Sequence, residues 1–569
     1  MVRAGTKPED HAHDLRAFFC LDRYCAAGYA VLMNRLRYIS FLTAIWLLLG
    51  AGALLADQLF AAATPEVTNL RALYREAGIQ FPSDSFPLSK RDLYSYAVWL
   101  RAQTRNGSIA SQAAAYITLL DYQRAALKLD MNQGATFQYY NTSTGQPLSF
   151  ADKVAYIDPL VQASWYFGAD GGPSFFIQAS LIPDYTQDLN TNLPIPQTGK
   201  PLAFDNNFIR QGYLYVPFGF GDLTFGRQQL QIGPSELLTG LTISERLPFF
   251  DALRARIFLG RFTLTEIVAT LENRQSTPDV TIPGTSDPSY TFGNNIIFYN
   301  IHYFEYSWSH IRAGIGAQMV ISRPYNMFNF GDFFPVFSWH QGDIAVNNMC
   351  LIGDVSATPF PGIDLYMQGG FDAFNTNGIG ILNASIPTIW AYLIGIRRSG
   401  DIMGVPTEAT LEWGSTHYLW GNYSWAGDVG ENVLSRSIYR LHLDVTGNGS
   451  LPLTSPYGPG SNWLVAQLKV QGPLGFSGEL RATMLQQNTQ ANLYTTPYAD
   501  DPTVANAPYT TTFIFETTAG WSWRDTVNLT VNPQVFTESG STWLRLFLSV
   551  NVHYDNRQTV KAEALQTGV

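Results

Sequence analysis

The chain has 569 residues, of which 36 are Phe, 30 Tyr and 13 Trp, while Asp, Glu, Lys and Arg supply only 14%. Ordinary soluble domains carry roughly 25% charged residues. Mean hydropathy is nevertheless near zero at -0.04, which excludes a bundle of apolar membrane helices, each needing about 20 apolar residues in a row. The 46% apolar content excludes a disordered chain, and the net charge of -10 gives a nucleic-acid partner no electrostatic support.

Residues 1–32 mix basic and acidic side chains without a recognisable element, and Met33 reads as the true start. After Met33, the basic Arg35 and Arg37 precede an apolar run from Ile39 to Leu55 and a small-residue exit at Ala61, Ala62 and Ala63. That order is a secretory signal peptide over 33–63; a single membrane anchor is the alternative. Removal after Ala63 leaves one cysteine, Cys350, and therefore no internal disulfide.

From 64 to 124 the apolar spacing is helical. Leu70, Leu73 and Tyr74 mark a first helix; Ser89 is the N-cap of a second through Leu93, Ala97 and Leu100; Ile109, Ala113, Tyr116 and Leu120 share one face of a third. The spacing predicts a small periplasmic helical bundle. It is too small for a catalytic cleft of its own.

Beyond Leu127 the pattern changes to alternation, as in Trp543-Leu544-Arg545-Leu546-Phe547-Leu548-Ser549-Val550. Segments of about ten residues, alternating apolar with small or polar and separated by Gly, Pro, Asn and Asp, are transmembrane β-strands. Their number is eighteen or nineteen, depending on whether Arg254 to Leu271 is one strand or two. Bacterial barrels prefer even numbers, so the reading is an all-β, 18-stranded antiparallel outer-membrane barrel over 125–555, with a polar, disordered tail at 556–569. A soluble propeller or β-helix would show a fixed repeat, and none is visible.

Gly226-Arg227-Gln228-Gln229-Leu230-Gln231-Ile232-Gly233-Pro234, then Leu237-Leu238, Ser244, Pro248-Phe249 and Leu253-Arg254, resembles the Gly-Arg, Gly-Pro, Leu-Leu, Ser and Pro signature of the Wzi capsule-assembly family. Phe86 to Asp92 is similar to the start of that family's helical region, and Asn347 to Asp372 to its middle portion. The chain departs from the family pattern at Ile232, where a Trp often precedes Gly-Pro, and in its long tail. The resemblance implies an eighteen-stranded barrel that binds capsular or exopolysaccharide, sits among outer-membrane lipid and lipopolysaccharide, and is inserted by the barrel assembly machinery of a diderm bacterium.

Sugars are bound by aromatic faces and planar polar side chains. Trp413, Tyr418, Trp420, Tyr423 and Trp425 fall in one stretch with His417 and Asn422 among them; it reads as a membrane-interface girdle or as a sugar platform. Trp339 and His340 follow Pro335 in a second candidate, a loop because Pro interrupts a ladder. Arg254 and Arg256 are two apart and share a face. A charged pair is costly against lipid, so they point into the lumen, to meet an acidic polymer or to pair with Glu245, Asp251 and Glu266. No nucleophile elbow, HExxH motif or phosphate loop is present, and neither a cofactor nor a metal is implied. The competing function is a porin, general or selective for anionic or sugar solutes; a TonB-dependent receptor needs a larger plug and more strands.

Overall fold

The computed structural model describes residues 58–121, 127–141, 161–168, 172–181, 185–187, 194–196, 209–245, 249–271, 295–324, 347–373, 387–421, 438–440, 450–491, 501–523 and 526–555. Eighteen strands close into a barrel in which every neighbour in sequence is a neighbour in space. They are β1 Leu127–Asn141, β2 Val161–Gly168, β3 Ser174–Leu181, β4 Ile209–Phe218, β5 Gly221–Gln228, β6 Phe250–Leu259, β7 Phe262–Thr270, β8 Asn295–Ser307 and β9 Ile311–Pro324. The circuit continues through β10 Asn347–Phe360, β11 Ile363–Ala373, β12 Ile389–Ile402, β13 Val405–Thr416, β14 Ser461–Gln471, β15 Phe476–Asn488, β16 Tyr509–Trp523, β17 Val527–Glu538 and β18 Ser541–Asp555. β18 closes on β1 antiparallel, with Thr542 opposite Asn141 and Asp555 opposite Lys128. Closure of the ring gives each of the eighteen strands a partner on both sides, although β1 pairs with β2 over Leu127–Met131 alone.

The segment expected to be one strand or two is two, with Gly260 (φ +67°) in the turn between β6 and β7. The total is nonetheless eighteen. Alternation sets the two faces of each strand. In β12, Ile389, Ala391, Leu393, Gly395 and Arg397 are buried, whereas Ile394, Ile396 and Arg398 are exposed. Ile315, Leu351 and Met367 extend the same lipid-facing belt.

Turns at one end of the barrel are short. Met403 and Gly404, both at positive φ (55° and 78°), join β12 to β13, the backbone that matches the twist of adjoining strands in a two-residue hairpin. Connections at the other end are mostly long, 229–249 and 417–460 among them, with the two-residue turn Ser539–Gly540 between β17 and β18 as an exception.

Three helices lie against the short-turn end: α1 Pro65–Glu76, α2 Lys90–Gln103 and α3 Gly107–Asp121. Pro65 fits the first turn of α1, where an N–H would have no partner. Ser89 caps α2 as its sequence implies: the side chain accepts from Asp92 N–H, and Asp92 accepts from Ser89 N–H. Leu70, Tyr74, Leu93, Ala97, Leu100 and Ala113 form the shared core. The Gly362 N–H donates to Arg75 O (2.8 Å) and the Gln80 N–H to Ser309 O (2.9 Å), which fixes the helices to the barrel turns.

Residues on both sides of the expected cleavage site at Ala63 belong to this unit. Leu59 and Phe60 pair with Ser89 and Leu88, Phe60 is fully buried, and the Ala62 and Ala63 N–H groups donate to Glu245. The extension 1–32, most of the signal segment and the tail 556–569 lie outside the described residues.

Candidate functional site: a sealed lumen

Two segments enter the barrel from opposite ends and meet inside it. Residues 79–89 come from the helical end, and residues 229–245 descend from the long-loop end after β5. Ser85–Phe86 and Gln231–Ile232 form a two-stranded pair, and the Gly233 N–H donates to Asp84 O (2.9 Å). Gly233 takes φ +102°, a backbone conformation that favours glycine, and lies beside the Gln368 side chain.

The descending segment then crosses the lumen to distant walls. Leu241 N–H donates to Gln368 Oε1 (2.6 Å) on β11, Gln318 Nε2 on β9 donates to Leu241 O (3.0 Å), and Ser235 Oγ donates to Glu412 Oε1 (3.0 Å) on β13. Leu230, Ile232, Leu237, Leu241 and Ile243 are buried against Tyr299, Leu393 and Trp463 from the wall. Barrels of 16–18 strands hold an aqueous channel when nothing fills them; here an apolar core does.

Ion pairs lock the two insertions to the wall. Glu236 accepts from Arg71 (2.9 Å) on α1 and lies 3.0 Å from Arg397 on β12. Arg75 reaches Asp364 and Glu408, each at 2.6 Å. Asp84 pairs with Arg71 and with Arg312 (2.8 Å) on β9, which also holds Asp354 and Glu305. Burial alone would raise the Asp84 and Glu236 carboxyls. The guanidinium groups outweigh it, holding Asp84 below the usual carboxylate range and Glu236 down to about 2. Unpaired, any of these charges would be costly at this depth.

The arginines of the motif point inward, but their partners differ from those expected. Arg256 pairs with Asp222 on β5 and with Asp92 on α2 (2.5 Å). Arg254 is fully buried, and none of its three guanidinium nitrogens has a hydrogen-bond partner among the described residues. Asp251 pairs instead with Arg227 (2.7 Å), whose guanidinium also lies over the Phe249 ring. Glu245 is taken by Ala62 and Ala63. Thr265 contacts Ser85 inside the barrel, so its neighbour Glu266 points outward, beside His302. Gly226 (φ +123°) faces Gly212 O across the β4–β5 pair where a Cβ would clash, and Pro234 lines a small cavity with Arg71, Arg75 and Arg397.

The aromatic stretch splits three ways. Trp413 is outward on β13, half-exposed, and edge-on to Tyr392 (5.1 Å), which stacks with Trp390 (5.5 Å). These rings form one outward-facing aromatic cluster on β12 and β13. Tyr418 and Trp420 are buried, at 7% and 1% exposure; Trp420 packs over Gly370 of β11 and joins the core inside the barrel. Both ring faces are thus withdrawn from any external polymer. Tyr423, Trp425, Trp339 and His340 lie outside the described residues.

Sequence reasoning missed Asp84, Glu236, Gln368 and Glu412, which hold the insertions in place. The readable signal was composition: 229–249 carries Leu, Ile and Phe at a density unusual for an exposed loop.

The fold defines an outer-membrane β-barrel whose lumen is filled from both ends. Among solved structures it is similar to Wzi, an outer-membrane protein involved in group 1 capsule assembly in Escherichia coli, described as a carbohydrate-binding β-barrel. The TM-score is 0.52 at 12% identity, over 88% of this chain and 99% of that one. At that identity the likeness concerns the fold. The Pseudomonas aeruginosa barrels OccK3 (OpdO) and OprD are more distant: TM-score 0.38 for both, at 8% and 10% identity, each over 75% of this chain and 95% of the other. No protein-family model matches the chain, and no curated protein matches it by sequence.

Proposed function

We propose that this protein retains surface polysaccharide at the outer membrane, as a non-catalytic member of the Wzi capsule-assembly type, and does not conduct solutes. The observation that supports the reading is the occupied lumen. A barrel wide enough to be a pore has been filled with Leu237, Leu241, Ile243 and Trp420 and locked by Glu236 and Asp84. A porin gains nothing from that core, whereas a surface anchor gains a rigid platform. The carbohydrate binding named for Escherichia coli Wzi supports the same choice.

Short turns mark the periplasmic end of outer-membrane barrels and long loops the extracellular end. The helices then sit in the periplasm, and the polymer meets the long connections. Tyr423, Trp425, Trp339 and His340 belong to those connections and are the aromatic and planar groups assigned to it. Export runs through a signal peptide cleaved upstream of Gln58, since cleavage after Ala63 would remove Phe60 from the helical core.

The test uses purified protein and polymer. Tyr423→Ala, Trp425→Ala and Trp339→Ala, combined, should leave the heat-modifiable mobility of the folded barrel unchanged while polymer co-sedimentation falls by about 10² or more, because many weak repeats bind together. Undiminished binding by the triple variant would refute the assignment.

A further inference from the structure

A cleft of about 510 Å³ opens between the helices and the short-turn end of the barrel, far from the long loops. Its wall carries Glu76, Trp99, Gln103, Arg105, Asn106 and His310. The volume lies within the range of sites that enclose a ligand of a few rings. Each element presents its group for a structural reason. Trp99 and Gln103 are one turn apart on α2 and so share a face. Arg105 and Asn106 fill the break between α2 and α3, where Asn106 Oδ1 accepts from Ser108 N–H (3.0 Å). His310 is fixed in the β8–β9 turn by its Nδ1 contact with Gly78 O (2.7 Å).

Trp99 gives the cleft its chemistry. One face of its indole lies parallel to Tyr74 (6.0 Å, 9°), which holds the ring still, and the side chain is only partly buried. A pre-positioned ring beside an amide, a guanidinium and a carboxylate suits a ligand with C–H faces and many hydroxyls. The opposite charges of Glu76 and Arg105 disfavour a strongly charged ligand of either sign. Burial, with Asp401 adding to it, raises the Glu76 carboxyl, which further weakens any pull on a cation.

We propose that this cleft is a second glycan-binding site, taking a short, neutral run of sugar rings with Trp99 as the platform and Gln103, Asn106 and Arg105 pairing with hydroxyls. For the source of the glycan this rests on the polysaccharide reading above. The orientation of the barrel puts the cleft in the periplasm, where two glycans of the same ring chemistry occur, an exported polysaccharide and the peptidoglycan strand.

Two probes separate these sources. Full-length protein in detergent is titrated by calorimetry with neutral oligosaccharides from partial hydrolysis of the cell's own surface polymer, and with glycan chains released from peptidoglycan whose lactyl carboxyls are blocked as amides. At least one probe should bind, and whichever does so names the source. Trp99→Ala and Gln103→Ala should each weaken that binding about tenfold or more, while Trp99→Phe, which keeps a ring against Tyr74, should restore most of it. Gln103 is exposed on α2, so its replacement leaves the fold intact. Failure of both probes to bind, or equal binding by wild type and Gln103→Ala, overturns the proposal. Surface retention of polymer, measured on the same Trp99→Ala strain, should be normal; this site can therefore fail while the outer one stands, and the reverse.

Discussion

Replacing Glu236 should unlock the lumen. Its carboxylate lies 2.9 Å from Arg71, 3.0 Å from Arg397 and 3.9 Å from Arg75, so it ties the descending segment to α1 and to β12 at once. In Glu236→Ala, Arg71 keeps Asp84 and Arg75 keeps Asp364 and Glu408, but Arg397 is left with Asp364 at 3.5 Å. Breaking a buried ion pair by removing one partner costs about 3–5 kcal/mol. At about 1.4 kcal/mol per tenfold, the population with the segment displaced rises by roughly 10² to 4 × 10³. The residual hydrogen bonds of Leu241 and Ser235 set a floor on that opening. In planar bilayers the wild type should be silent and Glu236→Ala should show intermittent, pore-sized openings. A wild type that conducts steadily, or a Glu236→Ala variant as silent and as heat-stable as wild type, would refute the locking role.

Acid should loosen the same lock. Asp84, Asp92 and Glu236 have folded pKa values held below their unfolded values, so their contribution is complete above about pH 5 and is lost as pH falls toward 2; the heat-modifiable transition, followed from pH 6 to pH 2, should drop only in that lower window, and a decline between pH 6 and 5 would contradict the assignment. Arg254 lacks hydrogen-bond partners among the described residues, so Arg254→Met should keep or raise thermal stability, whereas Arg256→Met should lower it by about 3–5 kcal/mol by stranding Asp222 and Asp92. Ala255 faces lipid between them, and Ala255→Arg should reduce membrane assembly, at about 2–4 kcal/mol near the midplane; normal assembly would mean the β6 register is wrong by one residue.

The barrel was legible because its chemistry is local. A lipid-facing strand must alternate, and a β18 that reads Arg545-Leu546-Phe547-Leu548-Ser549-Val550-Asn551-Val552 shows its period of two wherever it stands in the chain. Capping is local too, which is why Ser89 declared its helix. The filled lumen was not legible, because Glu236, Arg397 and Asp84 are brought together only by closure of the ring, and nothing in their spacing ties them. The arginines show the boundary between the two cases. Period-two logic turned Arg254 and Arg256 inward correctly, yet the partners of Arg256 came from β5 and from α2, a helix 164 residues upstream at Asp92. Aromatic density is divided in the same way: Trp413, Tyr418 and Trp420 are seven residues apart at most, yet the first faces outward and the other two are buried in the core.

The most direct test of the anchoring claim is the partition of polysaccharide between cells and medium in a strain lacking this protein, complemented with wild type or with an empty vector. The account predicts that total polymer is unchanged and that most of it moves to the medium without the protein, returning to the surface with the wild-type chain. An unchanged partition, above all one accompanied by loss of small-solute uptake, would contradict it.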